Sequence, residues 1–153
     1  MKKLILIPML FCLFMLNVAS MCSSDDDSSS SPDPTPVINA ATQGTWRVTS
    51  YVDSGNNETS DFAGYNFTFA TGGALTATNG TNSYSGTWSV TGDDSTDDSP
   101  SNDLDFNISF AGPANFADLT DDWDIVSYSA TTISLIDVSG GNGGTDTLVF
   151  TKN

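Results

Sequence analysis

The chain has 153 residues, the length of one domain. It carries 19 acidic residues against 4 basic ones, a formal net charge of −15, and no histidine. That balance repels polyphosphates and anionic headgroups, which argues against nucleic acid as a partner. The missing imidazole removes the usual nucleophile–histidine triads and dyads and the nitrogen ligands of zinc.

Behind Lys2 and Lys3, residues 4–18 form an almost unbroken apolar run. It is short for a spanning helix, which needs about 20 apolar residues, and suits the core of an export signal. Ala19-Ser20-Met21-Cys22 follows. This resembles the box of bacterial lipoprotein signals, which is cut just before a cysteine that then carries lipid. The resemblance implies a signal peptide over residues 1–21 and lipidation at Cys22, with Met21 standing where that family has a small residue. Ordinary secretion, with a cut after Ser20, is the alternative. The serine–aspartate run 23–27 is similar to the export tag of some Gram-negative surface lipoproteins. The implied location is therefore the outer membrane, lipid-anchored and exposed at the cell surface; a secreted or periplasmic protein is the alternative.

Cys12 falls in the signal and Cys22 is the lipid site, so no disulfide is available to the mature domain, which must rely on its core. Residues 23–36 are Ser, Asp, Pro and Thr, with no apolar side chain to bury. The serine run reads as flexible and the Pro-rich stretch 32–36 as extended. Residues 22–43 are thus a tether, with 37–42 leading into the fold, and the domain spans 44–153.

From Gly44 onward, short alternating segments recur between Gly, Asn and Asp turns, the pattern of an all-β sandwich or barrel. Eight strands are expected, over residues 45–52, 65–69, 74–78, 83–90, 104–110, 123–128, 132–138 and 145–151. The first alternates Trp46, Val48, Ser50 and Val52 on one face. The fifth, with Leu104, Phe106, Ile108 and Phe110, is the cleanest. The sixth and seventh are apolar on both faces and leave their register open. Thr71-Gly72-Gly73 and Asn79-Gly80 suit tight hairpins. With no crossover helix the sheet is antiparallel. A short helical turn is expected around 114–119.

Gly44-Thr45-Trp46 is echoed by Gly86-Thr87-Trp88, and the chain closes on Asp146-Thr147-Leu148-Val149-Phe150. This resembles the lipocalin-like (calycin) domains of bacterial lipoproteins over residues 44–152. The resemblance implies an eight-stranded antiparallel up-and-down β-barrel, wide enough for a filled core or one small ligand. In that arrangement Trp46, Trp88, Leu104 and Phe150 gather at one plugged end, with the Lys152 ammonium over the Trp46 ring. Both tryptophans read as core rather than ligand contacts. Tyr65, Tyr84, Phe110 and Trp123 then lie inside the other end, and Phe62 and Phe116, in polar loops, serve either as lids or as a small core beneath those loops.

Little chemistry is available. Asp121, Asp122 and Asp124 are the candidates for acid–base work, without any sign that they converge, so an enzyme is the weakest reading. Asp93, Asp94, Asp97 and Asp98 form an acidic loop for which Ca²⁺ is a candidate ligand, although their spacing does not match an EF-hand; a solvated loop is the plainer reading. No other cofactor is implied. Two functions compete: a membrane-anchored monomer taking a small neutral or cationic apolar ligand at the barrel mouth, and a packed barrel acting as a structural or protein- or glycan-interaction module.

Overall fold

The computed structural model describes residues 32–92, 104–139 and 144–153. Residues 1–21, Cys22 and the acidic loop with Asp93, Asp94, Asp97 and Asp98 lie outside them.

Eight long strands close into an all-antiparallel up-and-down barrel, β1 (Trp46–Asp53), β3 (Asn66–Phe69), β4 (Ala74–Thr78), β5 (Ser83–Gly92), β6 (Leu104–Phe110), β7 (Asp121–Tyr128), β8 (Thr132–Val138) and β9 (Thr145–Lys152), each next to its neighbour in sequence. β9 returns to pair with β1, Trp46 opposite Lys152 and Val48 opposite Phe150, so the sheet has no free edge along this seam. A two-residue strand, β2 (Asn56–Asn57), folds back on the end of β1. Three strands have the bounds expected from sequence, and the others differ by at most two residues at an end. The closed barrel is, in coarse outline, the architecture the lipocalin-like resemblance implied.

Period-two alternation places one face of each strand inside. Phe67, Phe69, Leu75, Trp88, Val90, Phe106, Ile108 and Phe110 are buried, while Ser83, Ser85, Thr87, Ser89 and Ser109 face out. In β1 the expected alternation breaks. A bulge between Val48 and Ser50 shifts the register, so that Tyr51, not Ser50 or Val52, turns inward. A bulge between Ile125 and Ser127 does the same to β7 and leaves Val126 60% exposed. Trp123, Ile133 and Leu135 are the inward residues of the two strands whose register sequence left open.

The glycines of the echoed tripeptide have packing reasons. Gly86 stands opposite Phe110, and a Cβ there would run into the Ser109 carbonyl oxygen and come within 2.8 Å of the Phe110 ring. Gly44 has φ +96°, and a Cβ would sit 2.9 Å from Lys152 Cε.

The packed unit starts before Gly44, which corrects the tether boundary. Residues Thr35–Ala41 form a helix, α1, with Pro36 in its first turn, where the missing N–H costs nothing. Val37 and Ala41 share one face and are buried. The Trp46 indole Nε1 donates to the Ala41 carbonyl at 2.8 Å, locking the helix to the start of β1. Seven residues are too few to hold a helix in water, so α1 exists because the barrel end accepts its two apolar side chains.

Candidate functional site

The described connections at one end of the barrel are 54–65, 79–82 and 111–120, which define the mouth. β3 reaches β1 only at Trp46 opposite Phe67. Nearer the mouth a 3₁₀ turn, Thr59–Phe62, takes its place. The Tyr51 N–H donates to Thr59 Oγ1 at 2.8 Å, and the Glu58 N–H donates to the Tyr51 carbonyl at 3.0 Å. This turn carries Phe62 into the barrel. On the far side α2 (Ala114–Ala117) carries Phe116. Both rings are buried, and they meet edge to face at 5.3 Å.

Five of the six mouth aromatics singled out from sequence converge on one point. The Phe116 ring lies 4.7 Å from Tyr84, 5.0 Å from Tyr65, 5.3 Å from Phe110 and 5.3 Å from Phe62. Trp123 joins through Tyr51, whose ring sits 5.4 Å from Phe62 and 6.4 Å from Trp123. Trp123 Nε1 donates to the Leu119 carbonyl and Tyr51 Oη to that of Asp118. Of the two roles open to Phe62 and Phe116, the geometry is that of a small core beneath the loops. Phe62, Phe110, Phe116 and Trp123 are core in this structure and line no open mouth. Tyr65 and Tyr84 alone are partly exposed, stacked at 5.8 Å on the rim. Asn82 Nδ2 donates to Tyr65 Oη at 3.4 Å, and the Tyr84 hydroxyl, hydrogen-bonded to Tyr65 and partly desolvated, is held above the usual phenol range.

The opposite end is filled as well. Lys152 Nζ lies 5.9 Å from the Trp46 ring centroid, the cation over a ring implied by the resemblance. Arg47 points away and reaches Asn153. Trp88 stacks on Phe106 at 5.4 Å and donates Nε1 to the Ala70 carbonyl. Phe150 packs on Phe67 and Phe69, a little deeper than expected, and Leu104 is partly buried against the core.

The structure also shows open space that sequence reasoning missed. A groove of about 830 Å³ runs along β5, β6 and the start of β7. The exposed Thr87, Ser89 and Ser109, with Asn107, line it, as do Asp121 and Asp122 at one end. Their signal was present as the polar partners of the buried residues in each strand, a pattern that also marks any solvated sheet face. A second groove, about 440 Å³, lies between Pro32, Val37, Leu104, Ile125, Val126 and Tyr128.

Asp121 and Asp122 are adjacent in the groove, while Asp124 sits farther along β7, opposite Asp105. The Asp121 carboxyl is pushed up to about 6, first by burial, then by its hydrogen bond to Asp122 and the charge of Asp137. Its unfolded value is near 3.8, so between the two the folded state holds more protons and stability falls as pH rises, the loss being complete above about 6. Asp121→Asn should therefore stabilise the protein at pH 7 by about 1 kcal/mol, after allowing for solvent screening of a partly exposed group, and should add nothing below pH 4. Urea unfolding at both pH values measures it. An equal gain at both would remove the carboxylate as the cause.

No family model matches the chain, and no curated protein matches it. Among solved structures it is similar to a DUF4847 family protein from Bacteroides vulgatus ATCC 8482, with 17% identity, a TM-score of 0.47, and coverage of 76% of this chain and 97% of that one.

Proposed function

We propose that this protein is a lipid-anchored, outer-membrane, surface-exposed monomer whose packed barrel acts as a non-enzymatic interaction module. One observation carries the reading: aromatic rings fill the barrel from the Trp46 end to the Phe116 end, and α1 covers the first end while the Thr59–Phe62 turn and α2 cover the second. A lumen so occupied leaves the outer surface and loops as the working parts. Its acidity turns away nucleic acid and favours neutral or cationic partners. The loop with Asp93, Asp94, Asp97 and Asp98 remains a candidate for Ca²⁺.

The second reading, a small neutral or cationic apolar ligand at the mouth, is favoured by the partly exposed Tyr65–Tyr84 stack over Phe116. It requires Phe116 to swing out, which uncovers the rings beneath it. Mass measurement of protein purified from its native membrane separates the two. Equal native and denatured masses are expected; a small adduct present only under native conditions, and lost on Tyr65→Ala with Tyr84→Ala, would establish the mouth ligand instead.

The anchor is tested by itself. Cys22→Ser should release the protein from the membrane fraction and lower its mass by the lipid. A variant that stays membrane-bound at the mass expected for the substitution alone would refute lipidation.

A further inference from the structure

The charges of this chain are unevenly placed. Residues 62–92, from Phe62 through β3, β4 and β5 to Gly92, contain none, although the whole sequence has 19 acidic and 4 basic residues. The outward side chains of these strands are hydroxyls and amides: Asn66 and Thr68 on β3, Thr76 and Thr78 on β4, and Ser83, Ser85, Thr87, Ser89 and Thr91 on β5. The carboxylates described lie elsewhere, on β6 to β9 and around the mouth, with Asp33 near the N-terminal helix. The large groove adjoins this uncharged face. Thr87, Ser89, Asn107 and Ser109 line it, and Asp121 and Asp122 stand at its β7 end.

We infer that this groove is a binding site for a neutral carbohydrate chain. The inference deepens the interaction-module reading and rests on it. Hydroxyl and amide side chains are donors and acceptors at once, as sugar hydroxyls are, so the two surfaces pair without either burying an unmatched charge. A carboxylate accepts from two hydroxyls with charge-assisted bonds, which suits Asp122 to the vicinal diol of a sugar ring. An anionic chain is repelled by the net charge. Ile38, Trp88, Val90 and Ile108 also line the groove, so the apolar C–H face of a sugar ring has surface to lie against while its hydroxyls meet the polar side chains. The volume, about 830 Å³, lies within the size range of small-molecule sites and is open enough for a chain to run through.

The test is affinity electrophoresis of the purified full chain in gels containing dextran, xyloglucan, galactomannan, arabinoxylan or polygalacturonate, followed by calorimetric titration with whichever retards it. At least one neutral polysaccharide should retard the protein, and polygalacturonate should not. Ser89→Ala with Ser109→Ala should weaken binding about tenfold, the loss expected for two hydrogen bonds, while thermal unfolding stays unchanged because both side chains are exposed. Tyr65→Ala should leave the affinity as it was. Absence of retardation by every neutral chain overturns the site, as does retardation that Tyr65→Ala abolishes or that the groove variant leaves intact. The lumen measurement above is separate: a ligand-free barrel with no carbohydrate affinity sinks this inference and leaves the interaction module standing, whereas an adduct in the barrel sinks the module.

Discussion

Phe116→Ala should cost about 3–5 kcal/mol of folding stability, the range for truncating a fully buried phenylalanine. The ring is 0% exposed and touches Phe62, Tyr65, Phe67, Tyr84 and Phe110, all within 6.0 Å between centroids. Removing it takes away the transfer energy of the side chain and leaves a cavity that its ring neighbours, held by strands on several sides, collapse into only partly. The urea midpoint should fall while the slope of the transition is unchanged. The result also decides the role of α2. A lid that closes on a ligand makes few contacts in the free protein, so a loss under about 1 kcal/mol would mean that Phe116 swings free in solution and would favour the mouth-ligand reading. A large loss is what a packed barrel requires.

Val37→Asp should cost about as much, 3–5 kcal/mol, for a different reason. Val37 is 1% exposed on the inner face of α1, and an unpartnered carboxylate there must be desolvated, neutralised or expelled. Expelling it undocks the helix, opens the hydrogen bond between Trp46 and Ala41 and wets the end of the barrel. The outward-facing Asn39→Asp, two residues on, serves as the control and should change stability by less than about 0.5 kcal/mol. If residues up to 43 were a simple tether, the two substitutions would behave alike, and equal small effects would restore that boundary.

Much of this architecture was legible in the chain. Leu104–Phe110 alternates one apolar and one polar residue, and an unbroken alternation has one stable placement on a barrel wall, so its bounds could be read without a structure. The absence of a crossover helix made neighbouring strands antiparallel, and the repeated Gly-Thr-Trp marked two strands that end up at the same end of the barrel. The role of its glycines needed coordinates, since only the distance from Gly86 to the Phe110 ring shows why a side chain is excluded there.

The remaining features depend on contacts between residues far apart in sequence. Period-two patterning cannot announce a bulge, because an extra residue leaves composition unchanged while turning every later side chain over; Tyr51 therefore enters the core against its local pattern. The helix Thr35–Ala41 is too short and too sparsely apolar to be stable alone, and only the end of the barrel makes it worth forming. Phe62 and Phe116 looked alike in sequence as aromatics in polar loops, compatible with a lid or a small core, until the short span of β1–β3 pairing left a space that their rings fill. The groove beside Thr87 and Asn107 is likewise a property of strands brought together by closure of the sheet, and no single strand carries its outline. Local patterning was thus sufficient to place the strands, since each depends on neighbours in sequence, and the resemblance supplied their up-and-down order, whereas the plugs, the inward turn of Tyr51 and the open surface depend on how the closed barrel is filled.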